Sequence, residues 1–170
     1  MSPVRWDRLF ADLEGQAEDA ALQDRDALVA ELSDEQWGST SWRSLAGGHV
    51  ELDVLGAGGI AGEVVLVNET LLHLTTASMD HVVAARAVLA LRSASRRADP
   101  VTQVTARLDW RQVLRRARQD GDELRAVRTD GIVVEGQVDV VGQDFVTVLT
   151  GAARRTLLPL TALAVVSLRR

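Results

Sequence analysis

Apolar and polar positions alternate from Ile132 to Val140, with Ile132, Val134, Gly136, Val138 and Val140 on one face and Val133, Glu135, Gln137 and Asp139 on the other. Such period-two alternation predicts a strand buried on one side. A weaker copy lies 74 residues earlier, where Gly62 corresponds to Gly136, Val64 to Val138, Leu66 to Val140, Leu71 to Phe145 and Leu74 to Val148. The spacing is kept along with the residue type, which identifies an internal duplication.

Each copy extends beyond this strand. In the second, Leu124 to Arg128 reads as a strand, Asp130-Gly131 as a hairpin turn, and Phe145 to Leu149 as a third strand. Leu157 to Leu168 then reads as two short strands broken at Thr161-Ala162. The first copy predicts strands at His49 to Val54, Ile60 to Val67, Thr70 to Thr75, and His81 to Leu91 with a break near Arg86. A helix precedes each copy. Trp110, Val113, Leu114 and Ala117 fall at helical spacing between Leu108 and Gln119, with Gly121 as the stop, and Trp42, Leu45 and Ala46 form a shorter turn stopped by Gly47-Gly48. Ahead of both, Trp6, Leu9, Phe10, Leu13 and Ala17 predict an amphipathic helix running to about Leu32. Ser33-Asp34-Glu35-Gln36 has the form of a capping box at that boundary. Gly136, lacking a side chain, is where the long strand is expected to bend.

The succession of helix, strand, Asp130-Gly131, Gly136, alternating strand and apolar third strand resembles the Sm-like fold of small bent-sheet barrels. Asp130, Gly131, Gly136, Val138, Val141, Phe145 and Val148 carry the resemblance, and Leu158 to Leu163 suits the two closing strands. The opening Trp6 to Glu14 is similar to that of an uncharacterised actinobacterial family. The resemblance implies a mainly β protein with some α: two tandem Sm/SH3-like barrels, each preceded by a helix, plus the N-terminal amphipathic helix. Residues 1–37 would be the helical segment, 38–92 the first barrel, 93–104 a polar linker containing Pro100, and 105–170 the helix and second barrel. In Sm proteins RNA is read by an Asp before the third strand, an Asn on it, and a basic motif between the last two strands. Gly142, Val146 and Thr161-Ala162 stand there in the second copy, and Asn68, Leu72 and the stretch around Arg86 in the first, so the base pocket is not carried over.

Composition sets further bounds. With 170 residues at 46% hydrophobic, the chain can bury a core without metal or disulfide support. It has no cysteine, which removes thiol catalysis and thiolate metal sites. No stretch reads as a signal peptide or membrane span, so a cytoplasmic protein with no membrane partner is expected. All 19 basic residues are arginine, a composition that fits codon bias better than chemistry. The net charge of −5 is unevenly spread: residues 1–40 carry −7, 41–99 carry −1, and 100–170 carry +3.

Candidate chemistry is sparse. Gly56 to Gly62 has glycines in the form of a dinucleotide-binding turn, but a strand follows where that motif needs a helix, so a hairpin loop is the reading. His49, His73 and His81 make no pair at metal-ligand spacing, and no device places a Ser-His-Asp set. Neither an enzyme nor a bound cofactor or metal is expected. Eight arginines crowd residues 92–118, and Arg111, Arg115 and Arg118 form a stripe on the second helix. With Arg96 and Arg97 they are candidates for phosphate or nucleic-acid contact; a solvated face, or a counterpart to the acidic N-terminal helix, competes with that use. Trp6, Leu9, Phe10 and Leu13, together with the apolar outer positions Val65, Val67 and Val141, are candidates for a partner interface. The expected function is therefore a non-enzymatic binding or interaction module. It would be a homodimer or small oligomer that uses exposed barrel edges and the Trp6 to Leu13 stripe, or would bind another protein. The alternative is an RNA- or DNA-binding regulator working through the arginine-rich helix.

Overall fold

The computed structural model describes residues 34–35, 37–92, 103–151 and 154–169. It divides the chain into two compact units, Met1–Ser41 and Trp42–Arg170. In the first unit the described residues 34–35 and 37–38 are helical, closed by the bond from Ser39 N–H to the Glu35 carbonyl (3.2 Å). Trp6, Leu9, Phe10 and Leu13 lie outside the described residues, as do Arg96 and Arg97.

The second unit begins with α1 (Trp42–Leu45) and continues through β1 (His49–Val54), β2 (Gly58–Val67), β3 (Leu71–Thr75) and β4 (Met79–Ala84). A 3-10 turn, Ala85–Ala87, leads into β5 (Val88–Arg92). After α2 (Gln103–Ala106) and α3 (Trp110–Asp120) the series recurs as β6 (Glu123–Arg128), β7 (Val133–Val141), β8 (Phe145–Thr150) and β9 (Arg154–Pro159), with a 3-10 turn at Leu160–Ala162 before β10 (Leu163–Arg169). Strand positions follow the alternation closely, and the breaks near Arg86 and at Thr161-Ala162 are the two 3-10 turns.

The expected pair of tandem Sm/SH3-like barrels, each with its own leading helix, is not what these strands build. They form one open antiparallel sheet in the order β5-β1-β2-β3-β4-β10-β6-β7-β8-β9. Neither repeat closes on itself, because the free edge of β4 hydrogen-bonds to β10 of the other repeat and not to β5 of its own. A single hydrophobic core runs through both repeats, from Leu52, Leu72 and Leu74 to Leu124, Val148 and Leu158. The leading helix of the first repeat also shrinks to one four-residue turn with no buried side chain.

Duplication extends to backbone irregularities. β2 meets β3 with a bulge at Val65, and β7 meets β8 with a bulge at the equivalent Asp139. A bulge reverses the alternation beyond it. Val67 therefore turns inward while Val65 stands out, and Val140, expected on the buried face of β7, is exposed. Just before the bulges lie Gly62 and Gly136, each against the next strand. A Cβ on Gly62 would lie 2.8 Å from the Thr75 carbonyl oxygen, and one on Gly136 1.9 Å from that of Leu149. The strand can bend there only without a side chain.

α3 shows why the second leading helix persists. Asp109 caps it: its carboxylate accepts from Gln112 N–H (3.1 Å), while the Gln112 side chain accepts from Asp109 N–H (2.7 Å). Gly121 ends it in the left-handed conformation at φ 72°. Its apolar stripe, Trp110, Leu114 and Ala117, is buried as the spacing requires. The approach to α3 is fixed by Asn68, buried in the β2–β3 turn. Its Nδ2 donates to the carbonyls of Thr105 (2.8 Å) and Leu108 (3.0 Å), and its Oδ1 accepts from the N–H groups of Thr70 and Leu71 (both 2.9 Å). The equivalent position in the second repeat is Gly142, whose missing Cβ leaves room for the Phe145 ring. Asn68→Ala strands these buried donors and acceptors and is expected to cost about 1–3 kcal/mol, read as a lower melting temperature by circular dichroism. Asn68→Asp should not restore it, since the carboxylate supplies no donor for the two carbonyls.

Candidate interaction surface

The charged groups account for one another over much of the surface. Arg111, the first member of the expected stripe, donates Nε (3.0 Å) and Nη2 (2.8 Å) to Asp109. Burial pushes the Asp109 carboxyl up, but hydrogen bonds from Arg111 and from the Gln112 N–H outweigh it and hold the group below the usual carboxylate range. The N-terminus of α3 is thus already served by a carboxylate. Arg116 pairs with Asp120 (2.6 Å) one turn on, and Arg92 grips Asp53 with both guanidinium nitrogens. Among the described residues Arg115 and Arg118 remain exposed on α3 with no ion pair.

A groove of about 640 Å3 lies between the repeats, lined by Arg43, Arg86 and Arg111 and by Glu69, Asp109 and Asp144. The arginines are engaged, Arg111 with the Asp109 carboxylate and the other two with backbone carbonyls. Arg43 donates to the Glu69 carbonyl (3.3 Å), and Arg86 to those of Leu160 (2.9 Å) and Leu163 (3.0 Å). Of these bonds, those of Arg86 cross from one repeat to the other.

The histidines are separate. His49 faces Glu63 (3.4 Å), His73 faces Asp80 (3.2 Å), and His81 meets the Ser167 hydroxyl (2.8 Å). Among the described residues no three His, Asp or Glu side chains gather at metal-binding distance. The glycines from Gly56 onward form the tip of the β1–β2 hairpin and the start of β2.

Among the described residues, exposed apolar side chains occur on interior strands, as at Val65 and Val140, and at the sheet's two edges. Large apolar side chains stand in solvent on both terminal strands: Leu89 of β5 is 66% exposed and Leu157 of β9 is 59% exposed. Val65 projects from its bulge, whereas Val67 is buried and Val141 partly so, which divides the apolar outer face expected of β2. No alternation signal separates an edge strand from an interior one, so Leu89 and Leu157 went unseen; aligning the repeats pairs them with Ala164 and Val82 and would have shown the difference. Asn68 had a local signal, Asn followed two residues on by Thr70, the pattern of a side chain that caps its own turn.

Among the described residues no helix is long and apolar enough to cross a membrane. The junction of the repeats, β4 on β10, carries a titratable contact. Burial holds His81 below the usual imidazole value; Asp80 acts in the opposite direction, and Arg125 and His73 add to the lowering. The unfolded chain binds this proton more readily than the folded one, so its cost is absent well above the unfolded pKa of about 6.5 and grows as pH falls through it. Thermal melts between about pH 7.5 and pH 5.5 should show a smaller acid-induced loss of stability in His81→Asn than in the wild type; equal losses would remove His81 from the account. No protein-family model matches this sequence, and no curated protein matches it.

Proposed function

We propose that this protein is a non-enzymatic interaction module of the cytoplasm that works by assembling, with itself or with another protein, through the open edges of its sheet. The supporting observation is that, among the described residues, the two terminal strands β5 and β9 each pair on one side only and each present an exposed leucine. Sheet edges offer main-chain donors and acceptors to a further strand; β5 is short and β9 carries Arg154, Arg155 and Pro159, so the exposed leucines carry the reading. An exposed leucine adds apolar area to that template.

Arg115 and Arg118 favour a second reading, nucleic-acid binding through α3. Two arginines on a chain of net charge −5 supply little of the electrostatic attraction on which such binding rests. Two measurements decide between them. Sedimentation velocity of the intact chain should give a mass that rises above the monomer with concentration. Titration with labelled RNA and DNA at about 50 mM salt should show no saturable binding. A chain that stays monomeric but binds nucleic acid, and loses that binding in Arg115→Glu with Arg118→Glu, would replace the assembly reading with the second one.

A further inference from the structure

We infer that the groove between the repeats takes a basic segment of a partner protein, with an Arg or Lys side chain against Glu69 and Asp144 and a main-chain carbonyl on the indole N–H of Trp110. This goes beyond the assembly reading above and involves neither β5 nor β9. Arginines line the groove, but each already has an acceptor. Arg111 pairs with Asp109 at 2.8 Å. Arg86 donates to the carbonyls of Leu160 (2.9 Å), Thr161 (2.5 Å) and Leu163 (3.0 Å). Arg43 donates to the main-chain carbonyl of Glu69 (3.3 Å).

These bonds leave over two acids and one donor. Among the described residues, the exposed carboxylates of Glu69 and Asp144 have neither a hydrogen bond nor an ion pair. Glu69 comes from the turn between β2 and β3 and Asp144 from the equivalent turn between β7 and β8, so each repeat contributes one. Exposed acids alone are ordinary surface groups. Trp110 is different: it is 6% exposed, and among the described residues its Nε1 has no hydrogen-bond partner. A buried indole N–H normally finds an acceptor. Trp110 lines the same groove as the two acids, so the unmet donor and the unmet acceptors share one site.

The class of ligand follows from what these groups lack. The carboxylates need a cation that donates hydrogen bonds, and the indole needs an acceptor. An Arg or Lys residue within a polypeptide carries both, in its side chain and in its own main-chain carbonyl. Nucleic acid also offers acceptors to the indole, but its phosphates would stand against Glu69 and Asp144. The sign of the whole chain agrees, since a net charge of −5 attracts a basic partner and repels an anionic one. At about 640 Å3 the groove is in the size range of sites that enclose a small ligand, which suits a few residues of a peptide.

The experiment titrates the full chain, by isothermal calorimetry, with a capped Gly-Arg-Gly-Arg-Gly peptide, with its counterpart Gly-Glu-Gly-Glu-Gly, and with single-stranded RNA. The arginine peptide should bind saturably at concentrations up to about 1 mM, and the other two should not. Glu69→Gln combined with Asp144→Asn changes two exposed positions and should leave the circular dichroism melt unchanged while weakening the arginine peptide about tenfold. Trp110→Phe keeps the buried ring, removes the N–H, and should also weaken the peptide; the double variant decides the matter if this one fails to fold. An arginine peptide that does not saturate, or that binds the double variant as tightly as the wild type, overturns the inference. Undiminished binding to a folded Trp110→Phe removes the carbonyl contact, and RNA that displaces the peptide assigns the groove to nucleic acid instead. None of these readouts depends on oligomeric state, so this inference and the assembly reading can each fail alone.

Discussion

β4 and β10 exchange main-chain hydrogen bonds from Val83 opposite Val165 to Met79 opposite Arg169, and this ladder makes one sheet out of two repeats. Each repeat has the same five strands in the same order, and each alone would leave β4-type and β5-type edges open. Joining them by one ladder satisfies one edge of each. The Arg86 guanidinium then fastens the second 3-10 turn to the first through the Leu160 and Leu163 carbonyls, while Asn68 ties the first repeat to the segment that leads into α3. The repeats are thus held by main-chain pairing, a charge-assisted contact and a fully satisfied buried amide, around one continuous core.

The paired irregularities show how the duplicated sheet keeps its shape while its surface diverges. Gly62 and Gly136 let the long strand pass close to its neighbour, and the bulges at Val65 and Asp139 turn it immediately afterwards. What each bulge presents to solvent has changed: Val65 is bare, while Asp139 pairs with Arg155 of β9 at 3.1 Å. Asn68 and Gly142 diverge in the same way, one as a buried hydrogen-bond hub and the other as clearance for an aromatic ring. The backbone constraint is common to both repeats, and the side chains at the constrained positions have been free to take separate jobs.

Charge pattern pointed to α3, and geometry redirects attention. Arg111 and Arg116 are spent on Asp109 and Asp120, carboxylates on the same helix or at its cap, and Arg86 of the inter-repeat groove serves the junction. An arginine stripe counted along a sequence overstates the available positive charge wherever acids lie within one turn of it.

The strands, their breaks and α3 were legible in the amino-acid order, because alternation, helical spacing and turn chemistry are local properties that a few consecutive residues fix. Trp110, Leu114 and Ala117 are buried as their spacing demands, and the bend at Gly136 falls where a side chain is missing. The bulges were not legible, since Val65 and Asp139 break no local rule, and their effect on Val140 appears only when the neighbouring strand sets the register. The choice between two closed barrels and one open sheet was less legible still. Closure depends on whether β4 meets β5 or β10, strands with nearly the same local pattern, and that contest is decided by packing between distant segments. Only the tertiary structure decides it, and with it which leucines are left exposed.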